Sequence, residues 1–240
     1  MPFDVHESLG GVLPTILGIP SYSIFVGLGI LVGIVYYLLD ARRRGVKHDG
    51  VVVIVASALI FGVIGSKIPL LFESNNPDIW AYGKSIVGAM LGGMLGVILV
   101  KRIMKIKLKM GNIIAPAVAL GMAIGRIGCF CNGCCFGIPA PFGLGFNFGD
   151  GVLRLQTQLL ESVFHLTAFF ILRHYQDKVK TPGILFKLYL LAYFIFRFLC
   201  EFIRENPRIL LDMTIYQIFC IIGIIYMGFA LWRGKVKQYG

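Results

Sequence analysis

The stretch Gly125-Arg126-Ile127-Gly128-Cys129-Phe130-Cys131-Asn132-Gly133-Cys134-Cys135-Phe136-Gly137 closes an apolar run from Ile113 to Ile124. An arginine at the end of such a run sits at or just inside a membrane boundary, where a charge is costly unless it binds something. Four glycines around it permit close backbone approach. An arginine, an asparagine and four cysteines in thirteen residues make a site, not an apolar anchor.

Working outward, the whole chain has a membrane composition. Of its 240 residues 57% are hydrophobic and only 15% charged, with a mean hydropathy of +0.81. A soluble domain carries roughly a quarter charged residues. The first fifteen residues hold Asp4, His6 and Glu7 and no basic residue, so no cleavable signal peptide is expected. The expected fold is all-α: a polytopic membrane protein with seven helices at about 20–39, 51–72, 85–100, 111–130, 155–172, 183–203 and 214–232. They form one membrane-embedded domain, 1–240, without internal repeats. The third helix could begin nearer Trp80, and its small residues Gly88, Ala89, Gly92, Gly93 and Gly96 predict tight helix packing.

Charge sets the expected orientation. Arg42, Arg43, Arg44 and Lys47 fall in the first loop; Lys101, Arg102, Lys105, Lys107 and Lys109 in the third. Arg173, Lys178 and Lys180 fall in the fifth, and Arg233, Lys235 and Lys237 at the C-terminus. Together these hold 15 of the 23 basic residues, while the second loop, with Glu73 and Asp78, holds none. Cytoplasmic loops are enriched in lysine and arginine, which places the N-terminus outside and the C-terminus inside. The net charge of +11 therefore reflects loop topology, and no nucleic-acid partner is expected.

Eight basic residues remain: Lys67, Lys84, Arg126, Arg154, Lys187, Arg197, Arg204 and Arg208. All but Lys187 are predicted in the outer half of the protein, together with Glu161, Glu201 and Glu205. For any one of them, snorkelling or a structural ion pair is a sufficient account. As a set they exceed the acids available to pair with them, and a lipid phosphate would balance the excess. In the sixth helix Arg197, Glu201 and Arg204 follow i, i+4, i+7 and are expected on one face, with Glu201 holding Arg197. Gln158 and Glu161 share a face of the fifth.

These motifs resemble the prolipoprotein diacylglyceryl transferase family, from about Pro20 to Cys220. The family signature GRIGNFINGE followed by a glycine is similar to Gly125–Cys134 with Gly137. The family run RFxxEFxRE stands as Arg197-Phe198-Leu199-Cys200-Glu201-Phe202-Ile203-Arg204-Glu205, and P-[ST]-Q-x-x-E corresponds to Gln156–Glu161. Tyr22 and Gly29 match the first-span tyrosine and glycine, and Gln217 the last-span glutamine. The sequence departs from the pattern at Val87, where the family has a histidine before Gly88-Ala89. It also departs at Cys129 for an asparagine, Cys134 for a glutamate and Lys67 for an arginine.

The resemblance implies transfer of a diacylglyceryl group from phosphatidylglycerol to a prolipoprotein cysteine thiol, with release of glycerol phosphate, in the bacterial inner membrane. Its substrates would be phosphatidylglycerol and a prolipoprotein signal peptide, with no cofactor. It implies catalytic roles for Arg126, Arg197 and Glu201. Tyr22, Asn132, Gly137, Arg154, Gln158, Glu161 and Arg204 would bind substrate.

The cysteines leave alternatives open. Cys129, Cys131, Cys134 and Cys135 form C-x-C-x-x-C-C, readable as packing, as a Cys131–Cys134 disulfide, or as a metal or catalytic thiol group. No metal site is expected, because four thiolates in one turn strain a tetrahedron and His6, His48, His165 and His174 do not cluster. Cys200 and Cys220 are expected to pack. Two other functions compete: a membrane thiol–disulfide protein, and a phospholipid-binding paralogue without catalysis.

Overall fold

The computed structural model describes residues 12–45, 50–72, 85–106 and 110–239, without the side chains of Phe142 and of 234–239. Asp4, His6, Glu7, Lys47, His48, Glu73, Asp78, Trp80, Lys84, Lys107 and Lys109 lie outside the described residues, as do the Lys235 and Lys237 side chains.

Among the described residues seven α-helices follow one another: α1 Ser21–Arg43, α2 Val51–Lys67, α3 Ile86–Ile103, α4 Gly111–Asn132, α5 Thr157–Tyr175, α6 Ile184–Cys200 and α7 Ile215–Tyr239. Three antiparallel two-stranded hairpins lie between helices. They are β1 Thr15–Ile16 with β2 Ile19–Pro20, β3 Phe146–Asn147 with β4 Leu153–Arg154, and β5 Arg208–Leu210 with β6 Met213–Thr214. Helix periodicity does not reveal them, because each strand is only two or three residues long.

Among the described residues five segments are long and apolar enough to cross a membrane: α1, α2 with its 3₁₀ continuation to Phe72, α3, α4, and α7 as far as Arg233. The chain is thus a mostly helical membrane protein. At 17 residues, α6 is shorter than the roughly 20 that a helical span needs. In α5 polarity is inverted relative to a soluble helix: Gln158, Glu161 and His165 are buried while Leu160, Val163, Leu166, Phe170 and Ile171 are exposed. That inward polar face makes the helix less apolar without altering what it presents outward.

The helices sort into two compact units. The first holds α1, α4, α5, the start of α6, and residues 202–206. Here α1 packs on α4 and α4 on α5. At one end Asp40 accepts hydrogen bonds from Arg44 Nε (2.8 Å) and Gln176 Nε2 (2.6 Å). Asn112 there fixes the α5–α6 turn, donating to Thr181 O at 2.9 Å and accepting from the Leu185 amide at 3.1 Å.

The second unit holds α2, α3, the rest of α6, and α7. Its small residues pack as their spacing suggests. A Cβ on Gly88 would fall 2.3 Å from Gly65 O, and one on Gly65 would fall 2.8 Å from Gly92 Cα, so α2 and α3 meet backbone to backbone. Ser85 caps α3 by accepting from the Gly88 amide at 3.2 Å.

Candidate functional site

In the first unit, α4 delivers Arg126 and α5 delivers Glu161 onto one another. Arg126 Nη2 donates to Glu161 Oε2, and Arg204 Nη1 donates to Glu161 Oε1 at 3.0 Å. All three residues are buried, Glu161 completely. Two guanidiniums therefore share one carboxylate. Arg204 Nε finds no hydrogen-bond partner among the described residues.

Arg204 reaches this position because the sixth helix stops early. The i, i+4, i+7 expectation required a continuous helix through residue 204. Instead α6 ends at Cys200, a 3₁₀ turn covers Glu201–Ile203, and Arg204 pairs through its backbone with Gly137 in an isolated antiparallel bridge. The shared face of Arg197, Glu201 and Arg204 is thus corrected: beyond the helix end, helical spacing no longer aims side chains. Around the bridge, the Gly137 amide donates to Leu155 O (2.8 Å) and the Ile138 amide to Ile203 O (3.0 Å). Only glycine fits at 137, since a Cβ there would stand 2.5 Å from Ile203 O.

Gln158 and Thr157, in the first turn of α5, donate to Cys134 O (2.6 Å) and Cys135 O (2.7 Å). Tyr22, the second residue of α1, lies beside Gly128, its Cα 3.4 Å from where a Gly128 Cβ would stand, and its phenol is in electrostatic reach of Arg126 and three thiols. Asn132 ends α4 and is half-buried.

Arg154 is held differently. Its Nε lies 2.9 Å from Asp150 Oδ2, its Nη1 pairs with Glu205, and its guanidinium stacks 4.9 Å from the Phe136 ring centroid. Phe136 in turn stacks on Phe148 at 5.5 Å, and Phe146 and Phe130 close the same aromatic group. Two carboxylates and a ring on one guanidinium describe a brace for the β3–β4 hairpin. Asp150 carried no sequence signal, because its pairing depends on the hairpin.

His165 is a second residue that sequence reasoning passed over. It is fully buried on the inward face of α5, one turn beyond Glu161, with its Nδ1 2.9 Å from the Tyr189 hydroxyl. The signal was present: 158, 161 and 165 follow i, i+3, i+7.

In the second unit, Arg197 Nη1 donates to Glu201 Oε2, as the i, i+4 spacing suggested, and the guanidinium lies 5.5 Å from the Tyr216 ring centroid. Both members of the pair are buried.

Cys129, Cys131, Cys134 and Cys135 carry free thiols, so Cys131 and Cys134 are not joined. The thiols that gather are those of Cys129, Cys134 and Cys135, whose sulfurs all lie within 4.8 Å of one another. Arg126 Nη1 stands 3.8 Å from Cys129 Sγ. Hydrogen bonds from Cys129 and Cys134 hold the Cys135 thiol well below the ordinary thiol range, and nearby Arg204 and Arg126 add to the effect. The same interactions push Cys134 up.

Comparison with known proteins agrees with the motifs. Residues 12–233 match the sequence profile of the family described as prolipoprotein diacylglyceryl transferase. The chain is 32% identical over 232 residues to a phosphatidylglycerol–prolipoprotein diacylglyceryl transferase of Clostridium tetani, covering 90% of this chain and 93% of the relative. It is 30% identical over 238 residues to the phosphatidylglycerol–prolipoprotein diacylglyceryl transferase 2 of Clostridium perfringens, covering 92% and 93%. It is also 30% identical over 232 residues to the corresponding enzyme of Staphylococcus carnosus, covering 88% and 84%. With its profile matched from the first described residue to the end of the last apolar helix, the chain belongs to the prolipoprotein diacylglyceryl transferase family.

Proposed function

We propose that this protein moves a diacylglyceryl group from phosphatidylglycerol to the cysteine thiol of a prolipoprotein, releasing glycerol phosphate. It does so as a single multi-pass domain of the bacterial cytoplasmic membrane, with seven spans, its N-terminus outside and its C-terminus inside. The orientation rests on the basic loops, and the two extra spans on the outward apolar face of α5 and the apolar sequence of α6.

The observation that carries the reading is the pair Arg126 and Arg204 on the single carboxylate of Glu161. The sulfur–carbon bond forms at the glyceryl carbon as the carbon–oxygen bond to phosphate breaks, and negative charge grows on the departing phosphate. Preorganised buried cations aimed at such charge favour the transition state over the ground state. Arg126 and Arg197 are the phosphate-binding catalytic residues, and Glu201 fixes the Arg197 fork. Arg204, Arg154, Tyr22, Asn132, Gly137, Gln158 and Glu161 shape the substrate site. The acceptor thiol attacks as thiolate after losing its proton to a base or to water. Val87 supplies no base where the family has histidine, which leaves Glu161, Tyr22, water, or thiolate formation favoured by the arginines alone.

The test is purified protein with labelled phosphatidylglycerol and a lipobox peptide, followed by mass spectrometry. A diacylglyceryl adduct on the cysteine with matching glycerol phosphate release is expected. Lipid binding without adduct would replace transfer by binding alone.

A further inference from the structure

From the cluster of Cys129, Cys134 and Cys135, the geometry points to a three-thiolate site for a single thiophilic metal ion, zinc(II) or copper(I), at the end of α4.

The backbone creates the cluster. Helix α4 ends at Asn132, and Gly133 turns the chain with φ +71° while its successor's amide, that of Cys134, returns to Cys129 O at 3.1 Å. Cys135 also takes a left-handed conformation, φ +62°, unusual for a residue with a side chain. Two departures from helical geometry, on either side of Cys134, bring sulfurs five and six positions on back to Cys129.

Separations within 4.8 Å fit such a site. Metal–sulfur bonds of ~2.3 Å in a trigonal arrangement require sulfurs ~4 Å apart, which small side-chain rotations supply. Cys131, whose sulfur is not in the group, removes the need to crowd four thiolates into one turn. That crowding was the reason for expecting no metal from the sequence.

The donor set selects the metal class. Three sulfurs without imidazole or carboxylate in the group suit soft or borderline ions and exclude magnesium or calcium, which take oxygen ligands. Binding converts the thiols to thiolates and releases their protons. Three thiolates around a monovalent or divalent ion remain negative overall, and Arg126, 3.8 Å from Cys129 Sγ, and Arg204, in electrostatic reach of Cys135, offset that charge. Thr157 and Gln158 hold the carbonyls of Cys135 and Cys134, the kind of outer support that orients ligands at metal centres.

The experiment uses the full chain, purified in detergent and reduced under anaerobic conditions. Zinc(II) and copper(I) are titrated separately against a chromophoric chelator, and thiols left reactive are mapped by alkylation and mass spectrometry. One ion per chain is expected, with Cys129, Cys134 and Cys135 protected and Cys131 still alkylated. Cys131→Ser should bind as the parent does, and Cys135→Ser should lose at least about tenfold in affinity, the lower end for disturbing a metal centre. The arm that competes better with its chelator identifies the ion. Failure of both ions to bind, unchanged binding by Cys135→Ser, or equal protection of Cys131 would overturn the site. The protection map needs no variant, so a Cys135→Ser protein that fails to fold does not shelter the proposal. None of these readouts depends on transferase activity.

Discussion

Arg204 Nη1 lies 3.0 Å from Glu161 Oε1 across 43 positions of sequence, and both side chains are buried. The carboxylate that receives Arg204 also receives Arg126, so three ionised groups stand or fall together. Burial makes each unpaired charge expensive, so removing the shared partner costs more than removing either guanidinium.

Replacing that shared partner tests the statement. Glu161→Ala leaves two buried guanidiniums without their carboxylate, and breaking a buried pair typically destabilises by about 3–5 kcal/mol. Thermal unfolding in detergent should show a clearly lowered midpoint for Glu161→Ala and a smaller loss for Arg126→Ala. Equal midpoints for Glu161→Ala and the parent would mean that the carboxylate does not hold the cluster together.

For catalysis, Arg126→Ala and Arg197→Ala are each expected to lower diacylglyceryl transfer by about 10²–10³, the scale seen when a charge-stabilising donor is removed. Lys105→Ala, at an exposed residue in the turn after α3, should retain the parent rate. The measurement is adduct formation on a lipobox peptide under lipid-saturating conditions. Near-parental rates in both arginine variants would remove them from the reaction.

Packing of α2 on α3 gives a test of a different kind. Gly88→Ala places a Cβ 2.3 Å from Gly65 O and 2.8 Å from Pro69 Cδ, which forces the helices apart, whereas Gly27→Ala meets nothing within 4 Å. Folded yield after size-exclusion chromatography should collapse for Gly88→Ala and stay level for Gly27→Ala. Equal yields would show that the two helices do not need backbone contact.

Orientation is tested by accessibility. Single cysteines at Arg44 and Lys105, in a background lacking the native cysteines, should react with a membrane-impermeant reagent only after the cell is opened. Labelling of either position in intact cells would invert the proposed topology.

Much of this was legible in the chain because membrane helices write themselves in long apolar runs. Each described helix starts within two residues of its expected start, while the ends differ by up to seven residues, and the Arg197–Glu201 pair followed from helical spacing. Arg204 escaped the same reasoning because nothing in Phe198–Arg204 announces that the helix stops at Cys200. The partner of Arg154 and the grouping of Cys129 with Cys134 and Cys135 depend on a hairpin and on left-handed residues, which periodicity does not encode. His165 was readable from its spacing with Glu161 and was passed over because histidines were sought near one another.

Gly137 and Ile138 tie two strips together: the Gly137 amide donates to Leu155 O, next to β4, and the Ile138 amide donates to Ile203 O, next to Arg204. Any displacement of the β3–β4 hairpin must therefore either part those bonds or drag a guanidinium with it. The hairpin and the charge form one mechanical linkage, so a polypeptide pressing on the loop would also pull on the arginine behind it.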